Sequence, residues 1–208
     1  MSWHSSLPDP SVACEQCRAP LISLLYCFGC DALQFPSGEV TPHEALGIPE
    51  SFQVDLDLLE GRYQQLTFEL HPDFYANASK REQRQSELAS AVLNRAYNTL
   101  WNPVARANDL LPRLAQGTVL DERQLPAGFL MEMFELQESL DDLLDSGTPD
   151  EIVQTRTDLA ERHSSLISGL ALHFAEAEAT APPSTLQTLQ TDLNAERYLH
   201  RLLERFPV

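Results

Sequence analysis

Four cysteines stand near the start of the chain, Cys14, Cys17, Cys27 and Cys30, as two C-x2-C pairs nine residues apart. Two such pairs can supply the four thiolates of a tetrahedral structural zinc site. A shell closed by four cysteines leaves no position for a metal-bound water, so the expected role is structural rather than catalytic. The need is physical: a segment of about 40 residues buries too little surface to fold on a core alone. A structural zinc contributes roughly 10–16 kcal/mol to a small module of this kind. Gly29, just before Cys30, suits the tight backbone of a knuckle. The competing chemistry is redox, since each C-x-x-C could close as a disulfide, but no thioredoxin-like βαβ pattern surrounds them. His4 lies near this segment and is expected to be an ordinary surface histidine.

The second chemically suggestive group is "LTFELHPDFY", residues 66–75. Pro72 disfavours helical geometry at His71 and fixes its own φ, so a helix must end there in a stiff corner. Asp73 then presents a carboxylate from that corner. His71 and Asp73 have no nucleophile or pocket beside them, so they do not read as a catalytic dyad. A charge-paired protein contact suits them, and a plain stop-and-turn is the alternative.

The elements that must position these groups fall in three zones. Residues 1–40 hold all the cysteines and few helical signals. Residues 41–115 read as helices with short loops. Thr41 and Pro42 open a short helix that Gly47 closes. Asp55 caps a helix with the stripe Leu59, Tyr63, Leu66 and Leu70. After the His-Pro-Asp loop, a helix with the stripe Leu88, Val92, Ala96 and Leu100 follows, and Asn102-Pro103 opens a fourth. Two long helices joined by a loop lie antiparallel and hold the loop out at one end.

Residues 116–208 read as three further helices, punctuated by "LPAG", "SGTPD" and "TAPPS". Phe129, Met133, Leu136, Leu140 and Leu143 form a bundle seam. Leu130, Met131 and Phe134 fall on roughly the opposite side, with Glu135 and Glu138. Apolar residues beside carboxylates on a second face suggest a partner site; packing against the preceding domain is the alternative. A stripe of Ile152, Leu159, Leu166 and Leu170 contains His163, expected to be a hydrogen-bonded core residue. Leu189, Leu193 and Leu203 mark the core side of the last helix, with Tyr198 pointing nearly opposite.

Composition narrows the function. A net charge of −17 over 208 residues argues against general nucleic-acid binding. The charge is uneven, −3 over residues 41–115 and −11 over residues 116–208. No run approaches the roughly 18 apolar residues that suggest a membrane span. The opening "MSWHSSLPDPSV" carries no basic residue and no apolar core, so neither a secretory nor an Arg-rich transit segment is expected.

A helix stripe, then His-Pro-Asp, then a helix with "LNRAYNTLWNP" resembles the J domain of DnaJ-type co-chaperones. "PVARANDLL", "FLMEMFELQESL" and an acidic helical tail with "RYLHRL" extend the resemblance, over residues 41–206, to the HscB family of iron–sulfur cluster co-chaperones. The tetracysteine segment resembles the extra N-terminal zinc module of some members. The resemblance implies that His71, Pro72 and Asp73 dock on an HscA- or DnaK-type ATPase chaperone. Arg62, Lys80 and Arg81, with Arg84, are then the positive groups for its acidic surface, although Asp57, Glu60 and Glu69 make the preceding helix less basic than the family usually has. It implies further that Leu130, Met131, Phe134, Glu135, Glu138 and Tyr198 hold an IscU-type scaffold.

The expectation is therefore an all-α protein: a zinc-knuckle module at 1–40, a J domain at 41–115 and an antiparallel three-helix bundle at 116–208. It is expected to be no enzyme, to need neither nucleic acid nor membrane, and to work in a bacterial cytoplasm, or in the mitochondrial matrix if the host is eukaryotic. Self-association through the bundle or the zinc module stays open. The rivals are a J-domain adaptor for a different client and a redox enzyme using the C-x-x-C pairs.

Overall fold

Side-chain caps set the start of five of the helices. The Thr41 hydroxyl accepts from the Glu44 N–H while the Glu44 carboxylate accepts from the Thr41 N–H, and this reciprocal box opens α1, Pro42–Leu46. Asp55 accepts from the N–H groups of Asp57 and Leu58 to open α2, Leu56–Glu69. Ser79 with Glu82 opens α3, Lys80–Trp101, and Asn102 accepts from Val104 and Ala105 at the start of α4, Pro103–Leu114. Thr148 with Glu151 starts α6, Pro149–Thr180, which follows α5, Phe129–Ser146. Pro182 and Pro183 separate α6 from α7, Pro183–Leu203, and Ala181 takes the left-handed turn between them at φ 45°. Two short strands, β1 (Tyr26–Cys27) and β2 (Ala32–Leu33), pair antiparallel before α1.

These features belong to a computed structural model, which describes residues 12–206. His4 and most of the opening stretch weighed above as a targeting segment lie outside the described residues. The fold is all-α apart from the two strands. It forms two compact units, Met1–Arg106 and Ala107–Val208.

In the first unit α2 and α3 run antiparallel. Glu60 faces Tyr97, Tyr63 faces Asn94, and Leu70 faces Ser86 across the pair. Leu59, Leu66 and Leu70 are fully buried, as their spacing required, and Tyr63 stacks on Tyr97 with ring centres 4.0 Å apart. The buried face of α3 differs from the expected stripe. It is Ser86, Ala89, Leu93, Ala96 and Leu100, with Val92 at its margin and Leu88 exposed. Small residues and a serine occupy the first turns because they must lie close against the end of α2.

Leu25, Tyr26 and Leu33 join the same core as Leu46, Leu59 and Leu93. The cysteine segment is thus built onto the helices rather than standing free. Ser23 Oγ donates to the Ala45 carbonyl at 2.6 Å, and the Leu24 N–H donates to the Glu44 carbonyl at 3.0 Å. Gly47 is required twice over: its φ is +64°, and a Cβ there would lie 2.4 Å from the Ile22 carbonyl oxygen.

The second unit holds the bundle. Phe129, Met133 and Leu140 of α5 are buried, with Leu136 and Leu143 partly so, against Leu159 of α6 and Ala195, Leu199 and Leu202 of α7. Leu189 and Leu193 are buried as expected and Leu203 is half-buried; Leu199 and Leu202 are additional core positions. Each buried leucine contributes about 1.5–3 kcal/mol relative to an exposed one. No helix among the described residues is long and apolar enough to cross a membrane.

Candidate functional site

Three groups of side chains meet the chemical requirements set by the sequence. The four cysteine sulfurs come together with all Sγ atoms within 4.8 Å of one another. Cys14 lies 3.7 Å from Cys30, and Cys17 lies 3.6 Å from Cys27. Each C-x2-C pair sits at a tight reversal. One is closed by the bridge between Ala13 and Pro20, the other by β1 and β2. In both, the residue after the second cysteine is left-handed, Arg18 at φ 64° and Asp31 at φ 54°. This repeated turn brings two sulfurs from each knuckle to one point.

The surroundings fit a cation. The Cys17 N–H, ahead of the opposing effect of burial, draws the Cys14 thiol down to about 6. Burial pushes the Cys30 thiol up to about 12, because packed sulfurs resist charging together without a counter-charge. Gln34, almost fully buried, donates from Nε2 to Cys14 Sγ at 3.6 Å. A Cβ at Gly29 would come within 3.1 Å of Ala19 and within 3.7 Å of two of the sulfurs. Gly29 therefore serves by leaving room rather than by an unusual φ. The four thiols are free, and a metal ion could sit among them.

The second group is the corner after α2. The helix ends at Glu69, and Pro72–Tyr75 form one 3-10 turn. The Leu70 carbonyl accepts from Ser86 Oγ at 2.7 Å and Ser90 Oγ at 3.0 Å, so two serines of α3 finish α2. Tyr75 donates to the Glu69 carbonyl at 3.0 Å, and Gln83 Nε2 donates to the carbonyls of Ala76 and Ala78. The loop is pinned at both ends while its tip stays open.

At the tip the Asp73 N–H donates to His71 Nδ1 at 3.3 Å. That bond needs Nδ1 unprotonated, which leaves Nε2–H as the donor on the neutral ring. Asp73 Oδ2 lies 3.7 Å from the same nitrogen, with 90% of its side chain exposed. Phe68 and Phe74, both exposed, lie 4.9 Å apart beside His71. Phe68 was not legible as part of this surface, since it lies off the apolar stripe of its helix.

The basic residues are spread. Lys80 and Arg81 open α3 just beyond the loop; Lys80 Nζ donates to Gln83 Oε1 at 3.1 Å, and the Arg81 guanidinium lies 4.2 Å from the Phe35 ring centre. Arg62 stands nine residues before His71, about 13 Å along α2. Burial lowers its guanidinium below the ordinary value.

The third group is the outer face of α5. Leu130, Met131 and Phe134 are 59%, 67% and 59% exposed, with Glu135 and Glu138 exposed beside them. Tyr198 of α7 meets the Phe129 ring edge-on at 5.9 Å. Arg162 pairs with Glu132 at 2.5 Å and holds that carboxyl below its usual range. The His163 ring, as expected, is hydrogen-bonded, 2.9 Å from Glu196.

A helical hairpin turned by an exposed His-Pro-Asp corner, followed by a three-helix bundle, is the architecture of a J-domain co-chaperone. The HSCB C-terminal oligomerisation domain matches residues 125–205. The chain is 31% identical over 163 residues to the co-chaperone protein HscB of Proteus mirabilis, covering 77% of this chain and 90% of that protein. It is 30% identical over 169 residues to the HscB homolog of Shewanella woodyi, covering 76% and 94%. The structure of human co-chaperone HscB superposes with a TM-score of 0.73 at 25% identity, over 94% of this chain and 96% of that one. HscB from Vibrio cholerae gives 0.61 at 27% identity, over 81% and 100%. The chain belongs to the HscB family of co-chaperones.

Proposed function

We propose that this protein serves iron–sulfur cluster biogenesis by bringing an IscU-type scaffold to an HscA- or DnaK-type chaperone and accelerating that chaperone's ATPase. The observation that carries the reading is the presence, on one chain, of an open His-Pro-Asp tip and an uncovered apolar patch rimmed by carboxylates. His71, Pro72 and Asp73 engage the ATPase, with Lys80 and Arg81 adding positive charge at the foot of the loop and Arg62 along α2. Leu130, Met131 and Phe134 anchor the scaffold, Tyr198 adds an aromatic contact, and Glu135 and Glu138 set its orientation. Binding both partners at once raises the concentration of one near the other. The protein makes and breaks no covalent bond itself. A structural Zn2+ on Cys14, Cys17, Cys27 and Cys30 completes the first unit, a borderline-soft ion suited to four thiolates.

The test is steady-state ATP hydrolysis by such a chaperone with purified scaffold, comparing the intact protein with Asp73→Asn. Stimulation that needs both Asp73 and the scaffold supports the reading. Stimulation that ignores the scaffold assigns the protein to another client, and no stimulation with either chaperone class overturns it.

A further inference from the structure

His163 on α6 and Glu196 and His200 on α7 place one ligand atom each within 4.8 Å of one another. None of the three belongs to the proposed docking faces or to the cysteine cluster. Glu196 and His200 are four apart on one helix, the spacing that puts two side chains on the same face. His163 reaches them from the neighbouring helix, with its Nε2 2.9 Å from Glu196 Oε1. The two imidazoles lie 5.9 Å apart, centre to centre, with their planes 30° from parallel.

Two features separate this group from an ordinary histidine–carboxylate hydrogen bond. The first is burial: Glu196 is only 5% exposed, yet a carboxylate taken out of water needs strong compensation. His163 offers it one N–H, and a divalent ion bound beside it would add further positive charge. The second is His200, which the pair does not require. Although exposed, its ring stacks on His163, with Glu204 Oε1 3.6 Å from its Nε2 as a further carboxylate. Ligand atoms at about 2.1 Å from a tetrahedral ion stand about 3.4 Å apart, so rotation of the half-exposed His200 closes the set.

We propose that His163, Glu196 and His200 form a site for a divalent first-row transition-metal ion, which would clip α6 to α7. Two imidazoles and a carboxylate suit zinc, nickel, cobalt or ferrous iron. The donors are nitrogen and oxygen, so occupancy is distinguishable by spectrum from any metal on the four thiolates. The net charge of −11 over residues 116–208 raises the local concentration of cations around the site.

The experiment uses the full-length protein with its four thiols already protected by one equivalent of zinc. Cobalt(II) is titrated in while the visible spectrum is recorded. The expected result is one additional equivalent with weak ligand-field bands and no thiolate charge-transfer absorption. His200→Ala and His163→Gln should each weaken that binding at least tenfold without changing zinc content, and His163→Gln keeps an amide able to donate to Glu196. Helicity by circular dichroism establishes that each variant is folded, and the exposed His200 position keeps the test valid if His163→Gln unfolds. Absence of a second equivalent at millimolar cobalt overturns the site, as does its undiminished persistence in His200→Ala.

Discussion

The hydroxyl of Tyr26 donates to Oε2 of Glu69 at 2.9 Å, joining the strand that carries Cys27 to the last turn of the helix that ends before His71. The cysteine cluster and the His-Pro-Asp corner are thereby linked through two side chains. Tyr26 is buried, and its phenol is pushed up first by burial and then by the Glu69 carboxylate. Tyr26→Phe keeps the packing and removes the bond. It should lower stability by about 1–2 kcal/mol in urea unfolding while metal content stays unchanged.

Asp73 is almost wholly exposed, so Asp73→Asn should leave the melting temperature unchanged within about 0.5 kcal/mol of stability. Chaperone ATPase stimulation should nevertheless fall to the unstimulated rate. Parallel melting and hydrolysis measurements separate the two effects.

On α5 the same logic runs face against face. Leu130→Ala and Phe134→Ala should leave unfolding midpoints almost unchanged, because both side chains already meet solvent. Each should weaken scaffold binding by about 2 kcal/mol, some thirtyfold, by calorimetry. Leu140→Ala, in the buried seam, should instead cost about 2–5 kcal/mol of stability.

Gln34→Ala removes the N–H donated to Cys14 Sγ. Loss of such a supporting bond lowers metal affinity by about tenfold or more, measurable by competition with a chromophoric chelator. Stripping the metal altogether should lower the thermal midpoint of the first unit, whose core includes Leu25, Tyr26 and Leu33.

Glu60, Glu82 and Glu151 are held below the usual carboxylate range, by the Tyr97 hydroxyl, the Ser79 hydroxyl and the Thr148 backbone respectively. Tyr97 is in turn pushed up to about 12 by Glu60. A lowered folded-state value adds stability that is complete above the unfolded value, near 4.3, and disappears as pH falls through the folded one. Thermal midpoints should therefore drop on acidification from about pH 5 to pH 3, and Glu60→Gln should flatten part of that slope.

Much of this was legible because short polar signals act locally. Thr41, Asp55 and Gly47 took the places their chemistry dictates, and so did the four cysteines. The α3 face was misread at Leu88 because Ser86 and Ser90 are spent on the Leu70 carbonyl. A serine on a buried face looks like a solvent position until the helix end it completes is known. The left-handed residues Arg18 and Asp31 were invisible for a related reason, since neither is the glycine that usually marks such a turn. The partnership of His163 with Glu196 and His200 depends on the register of α6 against α7, which periodicity alone does not set. Phe35 beneath Arg81 is likewise a tertiary contact with no local signal.

Lys80, the residue that follows the Ser79 cap, is the sole lysine in the chain. Its ammonium group is consequently the one side-chain amine available to acylating reagents, and it stands at the foot of the His-Pro-Asp loop. A bifunctional amine crosslinker has a single internal handle on this protein, so a partner captured through that handle has been within a spacer's length of the loop.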